Sequence, residues 1–235
     1  MTNRVRFIIP FWGEVYASKV INLTIPALLA PGNIDAIAAH FETEVILVTE
    51  SSLFPILENQ PVIWALREKA TVSFRPIDDL LSTVSGDYGV VLTLAYYRGL
   101  TDLGENMLHT YLMFLNADFI VAAGSYRRVV ELMREGKRVI HAPSFRTIDD
   151  KTVPILLAKV DRTSGVLAIS PRELVRIALR DRHSTVVART VNQEIYHLWR
   201  MDQFYWCVDD NALIGYQFCV ALLAIRPSRV VTEPV

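Results

Sequence analysis

The sequence is poor in cysteine: only Cys207 and Cys219 occur in 235 residues. Two are too few for a disulfide scaffold, and neither has a metal-ligating neighbour close by in sequence. Both are expected to be buried thiols. The chain also lacks an excess of either charge. Its 24 Lys and Arg face 25 Asp and Glu, for a net charge of -1, and nothing in that balance calls for nucleic acid as a partner. Long apolar runs are missing too, none approaching the ~18 uncharged residues of a membrane-spanning helix. The leading apolar stretch, Phe7 to Phe11, is too short for the core of a signal peptide. A cytoplasmic chain that begins directly on a strand is the expectation.

Several catalytic signatures are absent as well. There is no Gly-x-x-x-x-Gly-Lys-Ser/Thr phosphate loop and no Gly-x-Gly-x-x-Gly after the first apolar run. There is no Gly-x-Ser-x-Gly elbow, no His-Glu-x-x-His and no Cys-x-x-Cys. These gaps argue against an NTPase, a common dehydrogenase, an elbow-type hydrolase and a zinc enzyme.

What is present is apolar: 51% hydrophobic residues against 21% charged. A sheet covered on both faces needs strands that are apolar throughout, which accounts for this composition. Apolar surface reserved for a partner, a membrane or a further segment is the other account. The end of the chain, Val230 to Val235, carries no charged tail. It reads as a natural terminus or as the cut edge of a longer protein with an adjoining domain.

Short apolar runs alternate with helical patterns, the mark of an α/β fold. Strands are predicted at Val5 to Pro10, Glu44 to Thr49, Thr71 to Phe74, Tyr111 to Leu115, Phe119 to Ala122 and Arg138 to Ala142. Helical periodicity covers Tyr16 to Ala30, with Pro26 set to kink or end it, then Phe54 to Lys69 with a break near Pro61. Asn33 reads as the cap of a short helix. Asp78 to Val84, Val90 to Thr110 and Tyr126 to Glu135 are also predicted helical. Ser170-Pro171-Arg172-Glu173 is a capping box opening a helix to Arg182, and Asn192 to Met201 reads as another. Ala212 to Ile225 reads as helix or strand. The expected architecture is a single α/β domain over 1–235. It has a mainly parallel central sheet with helices on both faces and a more helical C-terminal third.

The segment richest in chemistry is Phe114-Leu115-Asn116-Ala117-Asp118-Phe119. An apolar strand ending in amide, spacer and acid puts two oxygen-bearing side chains on one side of the backbone. Asn116 and Asp118 would suit Mg²⁺ or Mn²⁺, hard cations that bridge to a diphosphate. Such a cation neutralises charge on a departing nucleotide diphosphate. The same two residues can instead cap the turn.

From His109 through Ile140 the chain resembles the metal-binding region of GT-A-type glycosyltransferases, which carry Asp-x-Asp after an apolar strand, then a Gly-Ser turn and a helix. Here Asn116 stands where the family usually has aspartate, which would weaken or remove metal dependence. The first strand with its loop, and the second strand ending in Thr49-Glu50, are similar to the nucleotide-binding half of that fold. The resemblance spans roughly residues 5 to 145. It implies a nucleotide-sugar-binding half over 1–145 and an acceptor-side half over 146–235.

The resemblance further implies that the loop Phe11-Trp12-Gly13-Glu14 lies against the nucleoside. Trp12 would stack on the base, Gly13 would let the backbone come close, and Glu14 would accept from a ribose hydroxyl. Trp12 can equally be an aromatic cover over the core. Thr49 and Glu50 are assigned to the same pocket, although Glu50 also reads as a helix-start acid. Arg146 would face the acceptor side.

Outside the resemblance, Arg98 has the chemistry to hold a diphosphate bidentately, or is a solvent-exposed helix residue. His183 is a candidate metal ligand, base or leaving-group contact, or a structural loop residue. Asp209 and Asp210 are candidates for the base that takes a proton from an acceptor hydroxyl, or polar turn residues. Together these residues point to a metal-assisted glycosyltransferase. It would take a nucleotide-sugar donor, a saccharide or lipid-linked acceptor and Mn²⁺ or Mg²⁺, with association at the inner membrane face fitting a lipid acceptor. The alternative is a catalytically silent domain of the same fold that binds a ligand or partner. A nucleotidyltransferase ranks third, because Phe11-Trp12-Gly13-Glu14 is neither glycine-rich nor basic.

Overall fold

A stretch of strand buried on both faces must be apolar, and Phe7 to Ile9 and Val45 to Val48 meet that demand. The computed structural model describes residues 4–84, 86–191, 204–209, 212–217 and 220–234. Strand β1 (Arg4–Pro10) is followed by β2 (Glu42–Thr49), β3 (Thr71–Pro76), β4 (Thr110–Phe114) and β5 (Val139–Pro143). After β6 (Thr190–Val191) come β7 (Phe204–Asp209), β8 (Ala212–Gln217) and β9 (Val220–Ile225). On β1, Val5, Phe7 and Ile9 face one side and Ile8 the other, and all four are almost wholly buried.

Two cores result, one on each side of the sheet. On the first, Phe7, Val45, Leu47 and Met113 pack with Val20, Ile25 and Leu28 and with Val129 and Met133. The latter come from helical segments after β1 and between β4 and β5. On the second, Ile8, Ile46, Val48 and Leu112 pack with Ala95, Leu100, Leu103 and Met107. Each such side chain contributes roughly 1.5–3 kcal/mol when fully buried.

The main sheet has six strands in the order β3-β2-β1-β4-β9-β5. Strands β3, β2, β1 and β4 pair in parallel, whereas β9 runs antiparallel to both β4 and β5. The expected α/β class, mostly parallel sheet and two-sided helical cover are therefore present. The chain lays down β1, β2 and β3 in one direction, then returns to place β4 on the other side of β1. In open α/β sheets a reversal of this kind leaves a ligand-binding crevice at the carboxyl ends of the flanking strands, which here are β1 and β4. A separate three-stranded sheet has the order β6-β7-β8.

Several local expectations are corrected. Phe119 to Ala122 form no strand: they run irregularly, and Phe119, Ile120 and Val121 are apolar because they pack onto core clusters. Asn33 does not cap Ile34–Ala38 through its side chain. Its buried amide instead donates to the Ala27 carbonyl at 2.7 Å and accepts from the Tyr126 N–H at 3.4 Å. The predicted helix Val90 to Thr110 is two pieces, Tyr88–Arg98 and a 3₁₀ stretch Thr101–His109 containing Gly104 at φ 50°.

Pro26 does not end the first helix but widens it. Helix Gly13–Lys19 continues through a π-turn over Val20–Thr24 into Ile25–Leu28. Proline has no N–H for the Asn22 carbonyl, and a π-turn accommodates the missing bond. Ala212 to Ile225 divides into β8 and β9, which join different sheets. Among the described residues of the last third, β6 to β9 lie beside helices Pro171–Arg180 and Ser184–Val187. The predicted helix over 192–201 lies outside the described residues. Among the described residues, no helix is long and apolar enough to cross a membrane.

Candidate functional site

The end of β1 carries the first wall of the crevice. Phe11 is buried, and its N–H extends the sheet by donating to the Val48 carbonyl at 3.0 Å. Trp12 follows in extended conformation, and Gly13 turns at φ 72° to open helix Gly13–Lys19. A Cβ on Gly13 would meet nothing within 4 Å, so backbone conformation and not space asks for glycine there. The Gly13 N–H donates to Glu50 Oε2 at 2.7 Å, which ties the loops after β1 and β2 together. Glu50 is thus a loop fastener with a second oxygen to spare. Glu14 is exposed in the helix's first turn.

Tyr88 joins this wall from a distant part of the chain. Its ring lies within 11° of parallel to Trp12, with centroids 6.5 Å apart. Trp12 is half-buried against the second core, so it is both a cover and a flat surface beside the crevice. Thr49 is different: its side chain is sealed inside the sheet, and its hydroxyl has no hydrogen-bond partner among the described residues. The structure does not bring Thr49 to the crevice surface.

The opposite wall is the turn after β4. The Leu115 N–H donates to the Ile8 carbonyl at 3.1 Å, and Asn116 to Phe119 form a turn closed at 3.0 Å. The Thr24 hydroxyl donates to the Ala117 carbonyl at 2.5 Å and pins that turn to the first helical stretch. Asn116 Oδ1 accepts from the Tyr96 hydroxyl at 2.6 Å. Burial raises the Tyr96 pKa, with help from the charge of Asp118, so this hydroxyl stays protonated and remains a donor. Asp118 is exposed, and no hydrogen bond or ion pair engages it among the described residues.

Lys19 sits beside this turn, with its side chain only 14% exposed and paired to Asp149. Burial opposes its charge. The hydrogen bond and charge of Asp149, with the charge of Asp118, outweigh that and raise its pKa. Lys19 and Asp149 are 130 residues apart, and Tyr88 and Tyr96 stand on a helix with no motif of their own. No local pattern in the sequence marks these four residues. Their roles exist only through the fold.

Other predicted site residues lie elsewhere. Arg98 forks onto Asp79 at 2.5 and 2.7 Å and also donates to the Pro76 carbonyl. That pairing holds Asp79 down to about 2, and it fastens helix Tyr88–Arg98 to Asp78–Thr83. Arg146 is exposed after β5, and its carbonyl accepts from the His183 N–H at 2.9 Å. His183 is the N-cap of Ser184–Val187, accepting through Nδ1 from the Thr185 N–H at 3.2 Å. Asp209 ends β7, in a different sheet from the one that leads to Asp118. Asp210 lies outside the described residues. Cys207, expected to be buried, is half-exposed, and Cys219 lies outside the described residues.

The donor set can be tested against a divalent cation. Among the described residues, no three His, Cys, Asp or Glu side chains gather as a metal cage. Mg²⁺, however, commonly takes one or two carboxylates and completes its shell with phosphates and water. Asp118 offers one such carboxylate, while the Asn116 oxygen is already shared with Tyr96. The donor set fits a cation shared with a diphosphate, not one caged by the protein alone. No family model matches the chain, and comparison with curated proteins finds no significant relative.

Proposed function

We propose that the chain transfers a sugar from a nucleotide-diphosphate donor held at the carboxyl ends of β1, β2 and β4. One observation carries this reading. The topological reversal between β1 and β4 gathers Trp12, Gly13, Glu14 and Glu50 on one side and Asn116 and Asp118 on the other. A base would lie against Trp12, and ribose hydroxyls would donate to Glu14 or the second Glu50 oxygen. The mostly parallel sheet supports the resemblance to GT-A-type glycosyltransferases, and the acceptor would be a saccharide or lipid-linked saccharide. The paucity of cysteine and of long apolar runs supports a cytosolic place of action.

The crevice is acidic. Glu14, Glu50 and Asp118 are the acids at these strand ends, and Lys19 near Asp118 is already paired with Asp149, so a diphosphate would enter only with a counter-cation. Asp118 would hold Mn²⁺ or Mg²⁺, which when bound stabilises negative charge on the leaving diphosphate. Tyr96 fixes the Asn116 side chain, and Thr24 fixes the backbone between the two. Transfer breaks the bond between the anomeric carbon and the donor phosphate oxygen and forms one to the acceptor oxygen, whose proton passes to a base.

A thermal-shift panel of UDP, GDP, CDP and ADP, each with and without Mn²⁺, tests the proposal. A ligand at 100 times its dissociation constant stabilises the fold by about 2.7 kcal/mol. A shift for one nucleotide only with metal, lost in Asp118→Ala, is the expected result. A metal-independent shift removes the cation from the reading. The absence of any shift favours the second reading, a catalytically silent domain, which the engagement of Asn116 by Tyr96 supports.

A further inference from the structure

Helix Tyr88–Arg98 is held at both ends. At its start Asp87 Oδ1 accepts from the Gly89 N–H at 2.9 Å and from the Val90 N–H at 3.2 Å. At its end Arg98 forks onto Asp79, and Gly99 lies so close to Ile8 that a Cβ there would collide with the isoleucine side chain. Eleven residues at 1.5 Å each carry the helix about 16 Å away from that contact. The chain covers a similar length, about 13 Å, over the four extended steps from Ile8 to Trp12. The first residue of the helix therefore reaches the residue just past the end of the strand, and Tyr88 meets Trp12.

Tyr88 gains little burial there. It is 76% exposed, and no hydrogen bond engages its hydroxyl among the described residues. Its ring is within 11° of parallel to that of Trp12, yet the centroids are 6.5 Å apart. Facing carbon atoms in contact sit about 3.5–4.0 Å apart, so the two rings are not seated squarely on each other. A parallel pair spaced or slipped in this way leaves aromatic face for a third flat group. Trp12 packs onto the second core, which fixes one ring, while the doubly pinned helix fixes the other.

We propose that Tyr88 and Trp12 together seat the nucleobase, and that this seat works without the metal. That the flat group is a nucleobase rests on the nucleotide reading above; the ring pair adds a residue that sets base affinity and divides binding into two separable parts. A base is uncharged and stacks on ring faces, so neither the acids nor a cation governs its entry. A bare diphosphate is repelled by Glu14, Glu50 and Asp118 until a cation joins it. Without metal, a nucleoside therefore binds more tightly than its own diphosphate, and Mn²⁺ reverses that order.

The experiment is calorimetric titration of the full chain with uridine, guanosine, cytidine and adenosine in EDTA, set against the matching diphosphates in EDTA and in Mn²⁺. One nucleoside is expected to bind in EDTA, with an affinity that added salt leaves unchanged, and to outdo its diphosphate there. Tyr88→Ala should weaken that nucleoside at least about fivefold, the low end for losing one stacking ring. Tyr88→Phe keeps the ring and should bind like wild type, and an unchanged circular dichroism spectrum shows that both variants fold. Nucleoside binding that Tyr88→Ala leaves intact overturns the proposal, as does ribose alone binding as well as the nucleoside. Binding of a diphosphate with Mn²⁺ but of no nucleoside also overturns it, and leaves the sugar-transfer reading standing. Nucleoside binding that Mn²⁺ and the diphosphate never improve does the reverse: the seat stands and the sugar-transfer reading falls. If neither nucleosides nor diphosphates bind, both fall.

Discussion

The two ends of the central sheet treat charge in opposite ways. At the amino ends of β1 and β2, every charged side chain is matched. Arg6, only 5% exposed, donates to Glu44 at 2.8 Å, to Asp102 at 2.6 Å and to the Gly99 carbonyl at 3.1 Å. Arg4 holds Glu42, and Arg75 adds a second cation on Asp102. Burial opposes the Asp102 charge, but Arg6 outweighs it and keeps the pKa below the ordinary aspartate value. At the carboxyl ends, Glu14 and Asp118 stand without a partner among the described residues and Glu50 keeps a spare oxygen. A closed network spends its charges on holding the fold, whereas unmatched carboxylates remain available to something outside it. That contrast separates scaffold from site.

Four changes would break or sharpen this comparison. The largest effect should come from Arg6→Met, which leaves Glu44 and Asp102 beside a buried apolar side chain. A loss of about 3 kcal/mol is expected, the low end for breaking a buried pair because Asp102 is 42% exposed. Urea denaturation measures it, and a midpoint shift too small for 1 kcal/mol would reduce the network to surface decoration. Asp118→Asn at the other end should leave the unfolding midpoint of the free protein within about 0.5 kcal/mol of wild type. It should nevertheless remove the Mn²⁺-dependent stabilisation by nucleotide. If free-protein stability falls instead, Asp118 belongs to the scaffold.

Tyr96→Phe should cost about 1 kcal/mol, the worth of one hydrogen bond, by leaving Asn116 Oδ1 without its donor. Nucleotide titration of that variant tells whether fixing Asn116 matters to the site. The smallest effect is the Arg98–Asp79 pair. Asp79 is lowered in the folded state to about 2, from an ordinary 3.8. A depressed carboxylate pKa stabilises fully above the unfolded value, so its contribution is present above about 3.8 and lost as pH falls through about 2. Asp79 is 61% exposed, and solvent screening keeps the gain below about 1 kcal/mol. Stability of Arg98→Ala against wild type should therefore converge as pH drops through that window. A constant difference across it would assign the effect to packing of the arginine stem.

Most of the parallel sheet was legible from apolar runs, because strands buried on both faces leave little else to choose. Val5 to Pro10, Glu44 to Thr49 and Thr71 to Phe74 lie within observed strands. The N-cap half of the capping box at Ser170 is also there: its hydroxyl accepts from the Glu173 N–H at 3.3 Å, while the Glu173 carboxylate pairs with Lys159. The misses share a cause. Phe119 to Ala122 is apolar for reasons of loop packing, and Ala212 to Ile225 serves two sheets, which composition alone does not reveal. Of the candidate site, Trp12, Gly13, Glu14, Glu50, Asn116 and Asp118 were readable as strand-end residues. Arg98 and His183 look equally polar in sequence, yet are committed to Asp79 and to a helix cap.

The sequence by itself determined the α/β class, the position of the early strands and the strand-end residues, because periodicity and turn chemistry are local properties. The tertiary structure alone decided that β4 returns beside β1, that Tyr96 takes the Asn116 oxygen and that Lys19 meets Asp149. Those contacts join residues from 20 to 130 positions apart. No window of sequence encodes them, since they form only when burial of both sheet faces brings those side chains to one edge.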